Sequence, residues 1–336
     1  MDTNPAVVFA GLREVVIEHA KRPDAGPGEL LIRTHKSLIS TGTELTLLSG
    51  EYPPGSVWAG HARFPMGAGY SNVGEVIGVG DGVGEAWLGR RVATHGGHAR
   101  YVTAAPGSAR PVRDGVADEH AVFFAISEIV MNAVRRSQLA WGEAVVVYGA
   151  GLLGQLTARY CRLCGARPVV VVDVAESRLG RLPPDDPSIV PANSGRCDAA
   201  DTVAQATRGR KADVAFEVTG AADLIPEQLR ALRDQGRLVI LGCPRGPTQF
   251  DFHDLCNSPS YTIIGAHNRS TPQYETPDNP WTWQRHAELF FELLADGEVS
   301  VEPLISHCEP YTNAPALYEL LLADRSQAMG VILDWS

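Results

Sequence analysis

Residues 144–154 read Ala-Val-Val-Val-Tyr-Gly-Ala-Gly-Leu-Leu-Gly, and this stretch decides the fold. Ala144–Tyr148 is a short, β-branched apolar run, the composition of a strand buried on both faces. Gly149, Gly151 and Gly154 then space out a G-x-G-x-x-G, and Leu152–Cys164 continues with helical character. The three glycines have separate tasks. The first makes the tight turn, the second admits a pyrophosphate against the backbone, and the third lets helix pack on strand. The helix start, with Leu152 and Leu153 as its first residues, adds free N–H groups and a partial positive charge. Asp173 closes the next predicted strand, where a carboxylate bonds the ribose hydroxyls of a dinucleotide. It repels a 2′-phosphate and so favours NAD, whereas Arg178, a little further on, offers NADP a possible partner.

Working outward, strands and helices alternate. Pro168–Val172, Asp213–Val218 and Arg237–Leu241 read as strands, with helices over Leu152–Cys164, from Ser177 and over Pro226–Asp234. This predicts an α/β chain with a parallel, doubly wound sheet. Residues 182–196 hold four prolines and read mostly as loop. Before residue 110 the texture differs: short runs such as Ala6–Phe9, Glu29–Thr34, Gly74–Val79 and Arg91–Thr94 are broken by Gly and Pro, the pattern of a β-rich unit. One long helix is expected from Asp118 to Arg136, acidic at its start and basic at its end. After Trp281 a helix–strand–helix–strand tail exceeds what a six-stranded nucleotide fold needs, so it is expected to rejoin the first unit. The boundaries predicted are 1–117 with 271–336 for the β-rich unit and 118–270 for the dinucleotide unit.

Composition narrows the function classes. The chain has 336 residues and a net charge of −10, which disfavours nucleic acid and anionic membranes as partners. Six cysteines are too few to build a disulfide scaffold, no basic segment leads an apolar run, and no window suits a membrane helix. A cytoplasmic protein acting on a small molecule is expected. Cys161-x-x-Cys164 lies inside the helix after the glycine turn, where packing explains it better than redox chemistry.

With these motifs in place, the chain resembles the medium-chain dehydrogenase/reductase superfamily, whose members are alcohol dehydrogenase-like. The resemblance runs from AVVFAGLREVVIEHAKRPDAGPGELLIR (residues 6–33) through STGTE, GYSNVGEVIGVG and GRRVA. It continues in EVTG (217–220) and GRLVILG (236–242), and ends in PLISH and GVILDW. It implies a GroES-like β-barrel catalytic domain plus a Rossmann domain, a nicotinamide cofactor, and assembly as a homodimer or homotetramer. It also implies that Val218, Thr219 and Gly242 join the glycine turn around the cofactor.

The departures from that family point to a branch without zinc. Where zinc-dependent members carry a Cys-Gly-Ser-Asp-like motif, this chain has Thr41-Gly42-Thr43-Glu44; in place of Gly-His-Glu it has Gly69-Tyr70-Ser71; the third ligand position falls at Phe124. Thr, Tyr and Phe do not make an ordinary zinc site, and no four-Cys lobe interrupts His95–Tyr101. STGTE, GYSNVGE and LDW resemble a branch that includes bacteriochlorophyllide a dehydrogenase and dehydrogenases of sugars, cyclitols and aminoglycoside-type intermediates. The polar segment GAHNRSTP (265–272) resembles the sugar-type members. Without metal, side chains must stabilise the reacting oxygen and move its proton. The resemblance nominates Thr43 as relay, Tyr70 as hydrogen-bond partner of that oxygen, Glu44 as base or orienter, and Glu128 as a contact near the nicotinamide. Thr41, Ser71, His98 and His267 are the expected substrate contacts.

The expectation is therefore a zinc-independent, NAD(P)-dependent enzyme interconverting a secondary alcohol and a ketone on a polyhydroxylated substrate. The alternatives are an NADPH-dependent quinone or enoyl reductase, a bacteriochlorophyllide-type hydroxyethyl dehydrogenase, and a nucleotide-binding regulator that has lost its chemistry.

Overall fold

The computed structural model describes residues 3–336, which divide into two compact units. The first comprises the residues up to Ala125 together with Gln284–Ser336; the second is Ile126–Trp283. Both divisions lie later in the chain than the sequence boundaries, the first of them inside the helix Phe124–Arg136.

The second unit is a six-stranded parallel sheet. Its order is Ile189–Asn193, Val169–Asp173, Val145–Tyr148, Ala212–Glu217, Leu232–Ile240, Thr262–Gly265. In chain order this is 3-2-1-4-5-6, the doubly wound dinucleotide arrangement, and its direction reverses between Val145–Tyr148 and Ala212–Glu217. Ligands in such sheets bind beyond the carboxyl ends of the strands at that reversal. The valines of Val145–Tyr148 and Val169–Asp173 are buried, each worth roughly 1.5–3 kcal/mol of transfer free energy.

Three expectations for this region need correction. The stretch 182–196 is not all loop, since Ile189–Asn193 pairs in parallel with Val169–Asp173. Pro191 is tolerated because this is an edge strand, where a missing N–H can face away from the ladder. The helix expected over Pro226–Asp234 is only Ile225–Gln228 between two 3-10 turns, and the strand Leu232–Ile240 begins inside it. Buried Leu229, Ala231 and Leu232 pack into the core beneath the sheet, which overrides local helix preference. The long helix from Asp118 is two pieces, Asp118–Ala121 and Phe124–Arg136. The break falls where buried Ser71 Oγ donates to the Val122 carbonyl at 2.6 Å.

The first unit is built of largely antiparallel β-sheets. A seven-stranded sheet includes Leu30–Ile39, Asn72–Val79 and Arg91–Thr94; a three-stranded one centres on Thr3–Gly11. The tail rejoins this unit, because Gly330–Asp334 pairs antiparallel with Leu30–Ile39. Its core gathers Phe9, Leu45, Leu48, Tyr318 and Trp335, with Phe9 and Tyr318 edge to face at 5.2 Å. That packing fixes Tyr318 and Trp335, whose polar tips enter the cluster described below. Among the described residues, no helix is long and apolar enough to cross a membrane.

Candidate active site

The glycine turn of the second unit has the geometry its sequence requires. Gly149 sits at φ +106°, a conformation that glycine alone adopts easily. A methyl group on Gly154 would overlap the Gly149 carbonyl oxygen, so the helix start packs directly on the turn. Gly151 differs: a Cβ built there meets nothing within 4 Å. It is also the N-cap of the twelve-residue helix Leu152–Leu163 and provides no side-chain cap. Open space over uncapped N–H groups suits a pyrophosphate, so these residues fit a dinucleotide.

Asp173 braces this turn. Its Oδ2 accepts from the Ala150 N–H at 2.7 Å and its Oδ1 from the Ala175 N–H at 2.9 Å. A carboxylate has about four acceptor sites, so lone pairs remain for ribose hydroxyls. Arg178 Nη1 lies 3.6 Å from Asp173 Oδ2, on the short helix Glu176–Leu179.

Val218 and Thr219 line the Gly149 turn, within 3.3 Å of a Cβ placed there. Sequence reasoning missed what holds them. Glu217, fully buried at the end of its strand, accepts on Oε1 from the Thr219 N–H at 2.7 Å, the Gly220 N–H at 3.0 Å and the Thr219 hydroxyl. Gly242 packs so closely that a Cβ would lie 2.7 Å from Glu217 Oε2. Burial pushes the Glu217 carboxyl above its ordinary pKa, and the bonds from Thr219 and Gly220 only partly offset it. The signal was present as the E of EVTG, but nothing local shows that its side chain folds back on its own turn. Because the folded-state pKa is raised, the stability Glu217 contributes is complete below the ordinary glutamate range and is lost as pH rises through the raised value. Glu217→Gln keeps an acceptor for the turn and is expected to preserve NADH affinity while flattening this pH dependence. Glu217→Ala is expected to weaken NADH binding about tenfold by freeing the turn, measured by fluorescence titration across pH.

The first unit holds a buried polar cluster. Glu44, on the helix Thr43–Ser49, accepts the Ser40 N–H on Oε1 at 2.7 Å; its Oε2 takes the Tyr318 hydroxyl and His98 Nε2, the latter at 3.2 Å. His98 Nδ1 lies 2.9 Å from Ser37 Oγ, which in turn accepts from Trp335 Nε1 at 2.9 Å. With a neutral His98, the Nε2–H donates to Glu44 and Ser37 donates to Nδ1, so every partner is satisfied. Gly69, at φ +85°, lies flat against the His98 ring, where a Cβ would come within 2.6 Å of three ring atoms. Beside this cluster, Tyr70 OH and Ser40 Oγ are 2.6 Å apart, and Tyr70 is only half-buried.

The sequence candidates thus fall into two groups. Glu44, Ser71, His98 and Glu128 are closed in, at 2%, 2%, 1% and 0% exposure. Glu44 is therefore placed to orient its neighbours rather than to meet substrate as a base, and His98 and Ser71 brace backbone and side chains instead of lining open space. Thr41, Thr43 and Tyr70 are half-buried, and His267 is exposed. His267 caps the 3-10 turn Asn268–Ser270, its Nδ1 accepting from the Arg269 N–H at 3.1 Å. Phe124, at the third former ligand position, is buried with its ring 5.1 Å from that of His95. Among the described residues, no group of three or more His, Cys, Asp or Glu side chains is placed to hold a metal.

Comparison with known proteins agrees with this architecture. Residues 153–282 match the zinc-binding dehydrogenase family. Sorbitol dehydrogenase 1 of Saccharomyces cerevisiae is 24% identical over 369 aligned positions, covering 99% of this chain and 98% of the yeast protein. An Escherichia coli protein described as a short chain alcohol dehydrogenase, solved with NADH, superposes with a TM-score of 0.82 at 18% identity, covering 99% of this chain and 100% of its own. A Sinorhizobium meliloti zinc-binding dehydrogenase bound to NADP superposes at 0.81 with 20% identity, again over 99% and 100%.

Proposed function

We propose that this chain, which belongs to the medium-chain dehydrogenase/reductase superfamily, is an NAD(P)-dependent alcohol dehydrogenase that works without zinc on a secondary carbinol of a polyhydroxylated substrate. The observation that carries the metal-free reading is the hydroxyl pair Tyr70–Ser40, 2.6 Å apart, at a position where zinc-dependent members place a ligand. Thr41 and Phe124 occupy the other two positions, and the imidazole and carboxylate of this unit's buried cluster, His98 and Glu44, are hydrogen-bonded to each other. That donor set does not fit a catalytic zinc.

The cofactor fits the second unit. Backbone of Gly149, Gly151, Leu152, Leu153 and Gly154 would hold the pyrophosphate, Asp173 the adenosine ribose, and Val218, Thr219 and Gly242 the neighbouring strand ends. When bound, the nicotinamide accepts or supplies the hydride. The chain's own side chains handle the proton as a hydroxyl relay: in alcohol oxidation the Tyr70 hydroxyl takes the proton of the reacting oxygen as it passes its own to Ser40 Oγ, which passes its own on to solvent, and ketone reduction runs the same relay in reverse. The Thr41 and Thr43 hydroxyls flank the same turn and offer further bonds to a hydroxyl-rich substrate. Glu44 and His98 act behind them by fixing Ser40 through its N–H. A sorbitol dehydrogenase among the relatives and the polar segment 265–272, which carries His267, support the choice of a polyol-like substrate. We also assign the protein to the cytoplasm, as a homodimer or homotetramer.

Tyr70→Phe is expected to lower kcat about a hundredfold or more while leaving NADH affinity unchanged. Unchanged kcat would remove Tyr70 from the proton path. NAD preference follows from Asp173, but Arg178 at 3.6 Å supports a second reading, an NADPH-dependent reductase of activated double bonds. NADPH binding far more tightly than NADH, with the difference abolished in Arg178→Ala, would favour that reading.

A further inference from the structure

The opposite edge of the parallel sheet, at the amino ends of its strands, holds a pocket of about 350 Å³. It lies between the residues that lead into three strands: Arg167 and Pro168 before Val169–Asp173, Pro187 and Ser188 before Ile189–Asn193, and Arg208 and Arg210 before Ala212–Glu217. We propose that this pocket binds a small phosphoryl-bearing molecule carrying two or more negative charges.

Three independent observations carry the proposal. First, the residues that line the pocket carry three guanidinium groups and no carboxylate. None of the three has a hydrogen-bond or ion-pair partner among the described residues, whereas the neighbouring Arg162 is tied to Asp186 at 2.8 Å. In a chain of net charge −10, unpaired arginines converging on one concavity are a local reversal of sign. Second, the frame is rigid. Ser188 is buried, its N–H bonds Asp186 Oδ1 at 2.9 Å, and its carbonyl accepts from Val169 N at 2.8 Å, with two prolines as walls. Third, the turn bearing the arginines adopts a conformation poorly suited to its side chains. Arg208 and Lys211 have φ of +56° and +64°, where glycine or asparagine is the ordinary occupant. The Thr207 hydroxyl fastens this turn, accepting from the Lys211 N–H at 2.9 Å and donating to the Val203 carbonyl at 2.7 Å. Arg208, a pocket-lining arginine at a left-handed position, shares this braced turn with Arg210 and lies across the pocket from Arg167, a set that fits phosphate oxygens, which guanidinium forks bind bidentately.

The test is calorimetric titration with inorganic tripolyphosphate at constant ionic strength. The protein is saturated with NADH so that the glycine turn is not the binding site. One saturable site is expected. Arg208→Ser/Arg210→Ser is expected to weaken it about a hundredfold and Arg167→Ser about tenfold, from the loss of charge-assisted bonds. Arg33→Ser, on an exposed pair in the other unit, is expected to change nothing. These arginines are exposed, and the single variants Arg167→Gln and Arg210→Gln repeat the test with minimal disturbance of the fold. No saturable heat in the wild type, equal affinity in the double variant, or the same effect from chloride at matched ionic strength would overturn the proposal.

Discussion

Gly151→Val is expected to leave the fold intact and to abolish NADH binding, weakening it at least about a hundredfold. The two halves of this result have separate causes. The Gly151 backbone lies at φ −70°, ψ −172°, an extended conformation that valine adopts readily, and a Cβ there meets no protein atom within 4 Å. Stability should therefore change by less than about 0.5 kcal/mol. In the cofactor pose proposed above, the pyrophosphate takes this open space at the helix start, so an isopropyl group would fill the ligand's volume and cover the N–H groups. Gly154→Ala provides the contrast. Its methyl would overlap the Gly149 carbonyl oxygen, backbone that cannot move aside cheaply, so it is expected to cost about 1–3 kcal/mol of stability as well as affinity. Calorimetric melting and fluorescence titration on both variants separate the two effects. Equal loss of stability in the two would mean that Gly151 serves packing rather than a ligand.

Glu44→Ala is expected to destabilise the first unit by about 3 kcal/mol or more, since each buried donor left without its acceptor costs about 1–3 kcal/mol. Three donors lose their acceptor at once: the Ser40 N–H, His98 Nε2 and the Tyr318 hydroxyl. Burial first, and then the charge of Glu44, holds the Tyr318 phenol well above its ordinary pKa, so it remains a committed donor. Release of the Ser40 N–H also loosens the hydroxyl that pairs with Tyr70. Glu44→Gln retains bulk and one acceptor oxygen and is expected to cost less. Differential scanning calorimetry reads the stability change. If Glu44 were the catalytic base, Glu44→Gln would instead abolish turnover at unchanged stability.

Local signals made the nucleotide half readable. The glycine spacing, the valine-rich strands and Asp173 each announce themselves within a few residues, and the structure places them around one turn. What escaped was non-local. The strand Ile189–Asn193 is hidden by Pro191 and becomes a strand only through its neighbour Val169–Asp173. The interruption of the helix at Val122 coincides with Ser71, far back in the chain. Glu44 reads as a lone carboxylate in STGTE; its partner Tyr318 arrives 274 residues later, carried by the returning tail. The catalytic candidates were legible as a family pattern with missing ligands. The division between buried braces and accessible hydroxyls depends on packing that no short motif encodes.

The most direct test of a metal-free polyol dehydrogenase is turnover after metal removal. The protein is dialysed against a strong chelator, its metal content is measured, and a panel of sugars, cyclitols and aminocyclitols is offered with NAD while reduced nicotinamide is followed by absorbance. The expected result is formation of reduced cofactor with a polyhydroxylated alcohol at a rate that chelation does not change. Stoichiometric zinc in the protein, with turnover lost on its removal and restored on its return, would contradict the account.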